Sequence, residues 1–280
     1  MARPDAIQQG IASRQDKSPT PVGSAVFVGL RLLDPFLQYG LLAWGWGDVL
    51  IKGIGGTPLP LEGPPVALGL PYWRLTLFCM SVAGAAKTIY YLLHVSEAAM
   101  PLRPALFVGF FKAFSTTLNT LAFCLTATSA AKAYTSSAPP RTLLSAPLTL
   151  QTSVVVFVLG MAVEVSAELQ RKWFKADPTN KGKPYTGGLF SVARHINYGG
   201  YSIWKTGMGI ASAGWIWGAL TLVSLIGEFR RRVIPGIDEY CQQRVSQYLR
   251  SLIMVLYKVL TVIKSMAPLG PRLSRGLNGR

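Results

Sequence analysis

Histidine, cysteine and acidic side chains are scarce in this 280-residue chain. Two histidines, His94 and His195, stand far apart, and no CxxC pair links the three cysteines, Cys79, Cys124 and Cys241. Neither a disulfide framework nor a metal site is expected from so little. Only 12 Asp and Glu stand against 28 Lys and Arg, for a net charge of +16. In a soluble protein that excess would point to nucleic acid. Here no recognition motif accompanies it, and the basic residues flank apolar runs, as they do where Lys and Arg orient membrane helices and meet anionic headgroups. Nucleic acid is therefore not expected as a partner; membrane lipids are. The first twenty residues lack the charged-then-apolar pattern of a signal peptide. Residues 1–21 read as a disordered cytosolic tail, with the first apolar span as an uncleaved insertion signal.

What the chain does have is long uncharged stretches. Half of its residues are hydrophobic and 14% are charged. Leu143 to Val163, Thr206 to Gly227 and Ala113 to Ala131 contain no charge at all. A helix needs roughly 20 apolar residues to cross the hydrocarbon core, so the chain reads as a multi-pass membrane protein. The first span covers about 22–46, with Arg31 and Asp34 three apart on one face and able to pair inside the bundle. A Gly- and Pro-rich loop at 47–71 is expected on the luminal side, with no regular helix. Further spans fall near 73–94, 105–130 and 147–166. For 198–229 two readings compete, one long span or a hairpin of two helices around Ala211 to Gly214. The hairpin keeps Arg230, Arg231 and Arg232 on the cytosolic side with the loop at 168–205, and is the favoured reading. Residues 249–267 alternate apolar and basic faces, as an amphipathic helix lying in the interface does. A basic tail follows at 268–280.

The most informative segment is ELQRKWFKADPTNKGKPYTGGLFSVARHINYGGY, Glu168 to Tyr201. Charge concentrated at the mouth of a membrane bundle is costly to place and usually has a task. Lys175, Lys181, Lys183 and Arg194 could neutralise phosphates. Asn180, Asn197 and Tyr198 offer directional hydrogen bonds. Gly187 and Gly188 let the backbone approach a ligand before the next helix begins. A nucleotide-containing cofactor fits these types, as does a phospholipid headgroup, and a plain positive-inside loop accounts for the charges alone. Glu164 and Glu168 lie one turn apart on one face. Either is a candidate to move a proton, against the simpler reading of a salt bridge to Arg171 or Lys172. Asp238, Glu239 and Tyr240, beside a basic turn, either close over the site or cap a following helix.

The same segment resembles the signature of the steroid-reductase-like membrane family labelled DUF1295, which runs roughly ADxQKxxFK…NKGKxxxTGLWxxxRHPNYFGE. RRVIPGIDEYCQQR is similar to the family's C-terminal IPxxDEYxxxRYG element. Upstream, the helix order and DPFLQYGLLAWG resemble its fungal branch. The chain departs at Ile196, where the family has proline, and no acidic residue follows NYGG. After Arg244 the family's YGxxW is absent. The wider superfamily holds NADPH-dependent sterol reductases and S-adenosylmethionine-dependent methyltransferases on one scaffold. The resemblance implies an all-α polytopic bundle of five to seven segments, spanning 22–248, with a cytosolic loop site. It implies cofactor contacts at Asn180, Lys181, Arg194, His195, Asn197, Tyr198 and Tyr240. The FK…NKGK and DEYC elements favour NADPH and reduction of a C=C bond in a lipophilic substrate, with Tyr198 or Glu164 supplying the proton. S-adenosylmethionine with methyl transfer is the alternative, and a non-catalytic scaffold that kept the fold the third reading. Residence in the endoplasmic reticulum goes with these expectations.

Overall fold

A computed structural model describes residues 16–61, 63–133, 140–181 and 183–239. The expected amphipathic helix at 249–267, the basic tail at 268–280 and Tyr240 lie outside the described residues. Among the described residues, five helices are long and apolar enough to cross a membrane. They are α1 Pro21–Ala43, α3 Tyr72–Tyr90, α4 Leu102–Cys124, α5 Leu148–Ala176 and α6 Ile196–Glu228. A short helix, α2 Asp48–Gly53, follows α1. It corrects the expectation of a wholly irregular luminal loop. Its single buried apolar residue, Ile51, joins the core, and that anchor holds two turns in a glycine-rich stretch.

Proline sets where these helices start. α3, α4 and α5 each begin directly after a proline in extended conformation, Pro71, Pro101 and Pro147. α1 carries Pro21 in its first turn. Proline has a fixed φ, and its missing N–H is one that the first turn of a helix leaves without an intrahelical partner. α5 does not stop near 166 but runs ten residues further, to Ala176. The first part of the expected loop, Glu168 to Lys175, is thus a helical extension. Glu and Lys are good helix formers once the apolar span has nucleated the turn. Residues 16–20, expected in the disordered tail, instead bond to the α3–α4 connection. Met100 N–H donates to Thr20 Oγ1 at 2.8 Å, and Ala99 N–H to the Asp16 carbonyl at 2.9 Å.

α6 is a hairpin. Ala213 and Gly214 leave helical geometry, Gly214 at φ 78°, a conformation that glycine adopts at little cost. A straight helix would put Tyr198 and Phe229 about 46 Å apart along its axis. Their rings lie 4.8 Å apart instead. The indole N–H of Trp73 donates to the Ala211 carbonyl at 2.8 Å, tying α3 to the tip of the hairpin.

The α5–α6 contact is the most extensive in the bundle, and small residues make it. A Cβ on Gly200 would lie 2.6 Å from Glu164 N, and one on Gly207 2.6 Å from Phe157 N and 2.7 Å from the Ser153 carbonyl oxygen. Close backbone approach of this kind drives helix association where lipid removes the hydrophobic contrast. Gly207→Ala is expected to cost about 1–3 kcal/mol through overpacking. A melting curve in detergent should show a drop of several degrees.

Candidate functional site

The end of the bundle reached by α5's extension and by the start of α6 collects the polar side chains. Glu164, Glu168 and Arg171 recur on successive turns of one α5 face. Both carboxylates are buried. Glu164 forms an ion pair with Lys87 of α3 through one oxygen, and the other accepts the Trp204 indole N–H of α6 at 2.6 Å. Glu168 pairs with Arg171, and its second oxygen accepts the Asn197 side-chain amide at 2.7 Å. The salt-bridge reading of this pair holds for Glu168. For Glu164 the partner is Lys87, a cation near the end of an apolar span, and that placement was the available signal.

The loop folds back on α5. Leu189 N–H donates to Gln170 Oε1 at 2.9 Å. Gly188 has φ 54°, and a Cβ there would lie 2.8 Å from the Tyr185 hydroxyl. The glycine pair therefore serves first to bring the loop backbone against Gln170 and Tyr185. Phe174, Tyr185 and Phe190 form a ring cluster with centroid spacings of 4.9 and 5.7 Å, and the Arg171 guanidinium lies 5.9 Å over Phe190. Asn180 closes the end of α5 by donating to the Phe174 carbonyl at 3.2 Å. The Asp177 carboxylate accepts from the Thr179 hydroxyl and backbone N–H, which together hold its carboxyl below the usual range.

Of the residues named from the sequence, Asn197 joins the Glu168 cluster, while Lys181, Lys183 and Arg194 point to the outside. His195 caps α6 with its ring 6.1 Å from that of Tyr198. The Tyr198 ring lies tilted against that of Phe229, and among the described residues its hydroxyl has no hydrogen-bond partner. The structure thus draws Glu164, Glu168 and Asn197 into one buried network. It leaves Lys181, Lys183 and Arg194 on the surface around it.

These features define a multi-pass helical membrane protein with a network of ion pairs and a ring cluster at the mouth of the bundle. The chain belongs to the DUF1295 family, described as a protein of unknown function, whose pattern matches residues 95–230. It is 40% identical over 254 residues to a protein of Ustilaginoidea virens named "Probable O-methyltransferase ustE", covering 88% of this chain and 87% of that one. No solved structure matches.

Proposed function

We propose that the protein is a membrane-embedded methyltransferase that uses S-adenosylmethionine to methylate an oxygen of a lipophilic acceptor. The observation that carries this reading is the 40% identity, over 88% of the chain, to a protein named an O-methyltransferase. The chemistry of the site supports it. Reduction of a C=C bond needs a proton as well as a hydride, and both oxygens of Glu164 are already taken by Lys87 and Trp204. Transfer of a methyl group to oxygen asks for no acid: a carboxylate acceptor has no proton to lose, and a hydroxyl acceptor would give its proton to a base or to water.

When bound, the cofactor supplies an electrophilic methyl group. The chain's own part is to hold and orient both partners. Half-buried Phe174, Tyr185 and Phe190 offer ring faces to an adenine. Exposed Lys181, Lys183 and Arg194 offer charge to a carboxylate. The buried network of Glu164, Lys87 and Trp204 fixes the helices beneath, and the acceptor reaches them through the bilayer. Residence in the endoplasmic reticulum, with the loop facing the cytosol, belongs to this proposal.

One observation favours a second reading, NADPH-dependent reduction. The exposed cations Lys175, Lys181, Lys183 and Arg194 suit a cofactor with several phosphates. In that reading Tyr198, whose hydroxyl is uncommitted, supplies the proton. Thermal melting of the purified protein with S-adenosylmethionine, its demethylated product, NADPH and NADH separates the two. A ligand at about 100 times its Kd adds roughly 2.7 kcal/mol. Stabilisation is expected from the sulfonium and its product, lost in Arg194→Ala without change in the unliganded melting temperature. Stabilisation by NADPH alone would transfer the assignment to the reductase, and no response from any of the four would leave the scaffold.

A further inference from the structure

The interior of the bundle carries more basic side chains than its carboxylates pair with. A cavity of about 10 Å³ lies among the helices, lined by Arg31, Lys112 and Lys205 together with Ser81, Thr88 and Trp204. Two carboxylates are near, and both are engaged. Asp34 pairs with Arg31 at 2.8 Å and takes the Gln38 amide on its other oxygen at 2.8 Å. Glu164 holds Lys87 and Trp204. Among the described residues, these two carboxylates face four basic side chains, Arg31, Lys87, Lys112 and Lys205, so two of the four are left without an acidic partner.

The two are Lys112 and Lys205. Among the described residues neither side-chain nitrogen has a hydrogen bond or a carboxylate within ion-pairing distance. Each ammonium instead lies over a ring, Lys112 at 5.1 Å from the Tyr201 centroid and Lys205 at 5.0 Å from that of Trp204. Lys205 is buried, 5% exposed. A ring face returns only part of what an ammonium loses on leaving water. Two basic groups held this way, beside Arg31, Ser81, Thr88 and Thr116, make a receptor for negative charge.

We propose that Lys112 and Lys205, backed by Arg31, receive the acid group of an amphiphile whose apolar tail stays in the bilayer. The size of the cavity argues for a tethered acid over an inorganic ion. Its volume admits about one water-sized group, so an acid oxygen fits while a hydrated anion does not. A hydrocarbon tail also places the acid at this depth without stripping a free ion of water. A carboxylate and a phosphate monoester share this chemistry. The inference is independent of which group is transferred at the basic loop.

The test uses full-length protein in an uncharged detergent, titrated with laurate, methyl laurate, dodecyl phosphate and inorganic phosphate. Melting temperature and native mass spectrometry provide the readouts. Laurate or dodecyl phosphate, whichever matches the acid, is expected to bind saturably and raise the melting temperature, while methyl laurate and inorganic phosphate do not. Lys112→Met and Lys205→Met should each weaken binding about tenfold or more, as loss of a charge-assisted contact does. The unliganded Lys205→Met variant should melt at the native temperature or above it, because methionine removes a buried basic group that has no acidic partner, while Lys112→Met, at a half-buried position, should change little. Lys112→Arg, which keeps the charge, should retain binding. Equal binding of methyl laurate or inorganic phosphate, binding unchanged in both methionine variants, or no binding of any acid would overturn the proposal. So would a lower unliganded melting temperature in both methionine variants, which would assign the lysines to packing.

Discussion

Asp34→Ala is expected to destabilise the protein by about 3–5 kcal/mol, the cost of leaving a buried charge without its partner. Arg31 is 3% exposed and Asp34 2%, in the middle of α1, and the pair sits 2.8 Å apart. Removing the carboxylate leaves the guanidinium with Thr88 at 3.1 Å as its remaining side-chain acceptor. It also takes one of two acceptors from the Gln38 amide, which keeps Thr117 at 3.0 Å. Pro35, which has no N–H to bond the Arg31 carbonyl one turn back, already removes one backbone hydrogen bond at this point of α1. Arg31→Leu combined with Asp34→Leu should recover most of the stability, because the pair's desolvation cost disappears with it. The recovery should be incomplete by the one Gln38 hydrogen bond, about 1 kcal/mol. Denaturant or thermal unfolding of Arg31→Leu, Asp34→Leu and the double variant in one detergent measures this coupling.

Glu164→Ala should come second, also at about 3 kcal/mol or more. Two donors from two different helices lose their acceptor together, the Lys87 ammonium of α3 and the Trp204 indole of α6. The Lys87 side chain is 11% exposed, so water reaches it better than it reaches Arg31, and the cost should be the smaller of the two. Glu164→Gln keeps an acceptor for Trp204 and should cost less than alanine. Lys87→Met with Glu164→Met should restore much of the loss. If Glu164→Ala melted at the native temperature, the Lys87 and Trp204 contacts would not hold these helices together. A cofactor bound at the loop should still stabilise the Glu164→Gln variant, because the exposed cations that meet it are untouched.

The local features were legible because helix geometry alone produces them. Arg31 and Asp34 are three residues apart, as are Glu168 and Arg171, and any helix through them brings each pair together. The hairpin was legible from the requirement that Arg230 to Arg232 return to the side of the basic loop, and Gly214 supplies the backbone turn. The α5 extension was missed because a polar run after an apolar span reads as loop by composition, although its residues favour helix. The short helix α2 was missed for a different reason. Its stability comes from Ile51 packing in the core, which no local pattern reports.

The amino-acid sequence by itself determined the class of protein, its long apolar spans and the basic mouth of the bundle, because hydropathy and charge act residue by residue. It also determined which side chains could pair along one helix. Only the tertiary structure decided that Lys87 meets Glu164 across 77 residues, that Trp204 shares that carboxylate across 40, and that Asn197 reaches Glu168 across 29. The lack of an acidic partner for Lys112 and Lys205 emerged at the same level, since it depends on which carboxylates the fold leaves beyond their reach. The physical reason lies in the solvent. In lipid the apolar faces of helices are nearly equivalent, so partners are chosen by close approach at positions such as Gly200 and Gly207 and by polar contacts that exist only once the helices have packed.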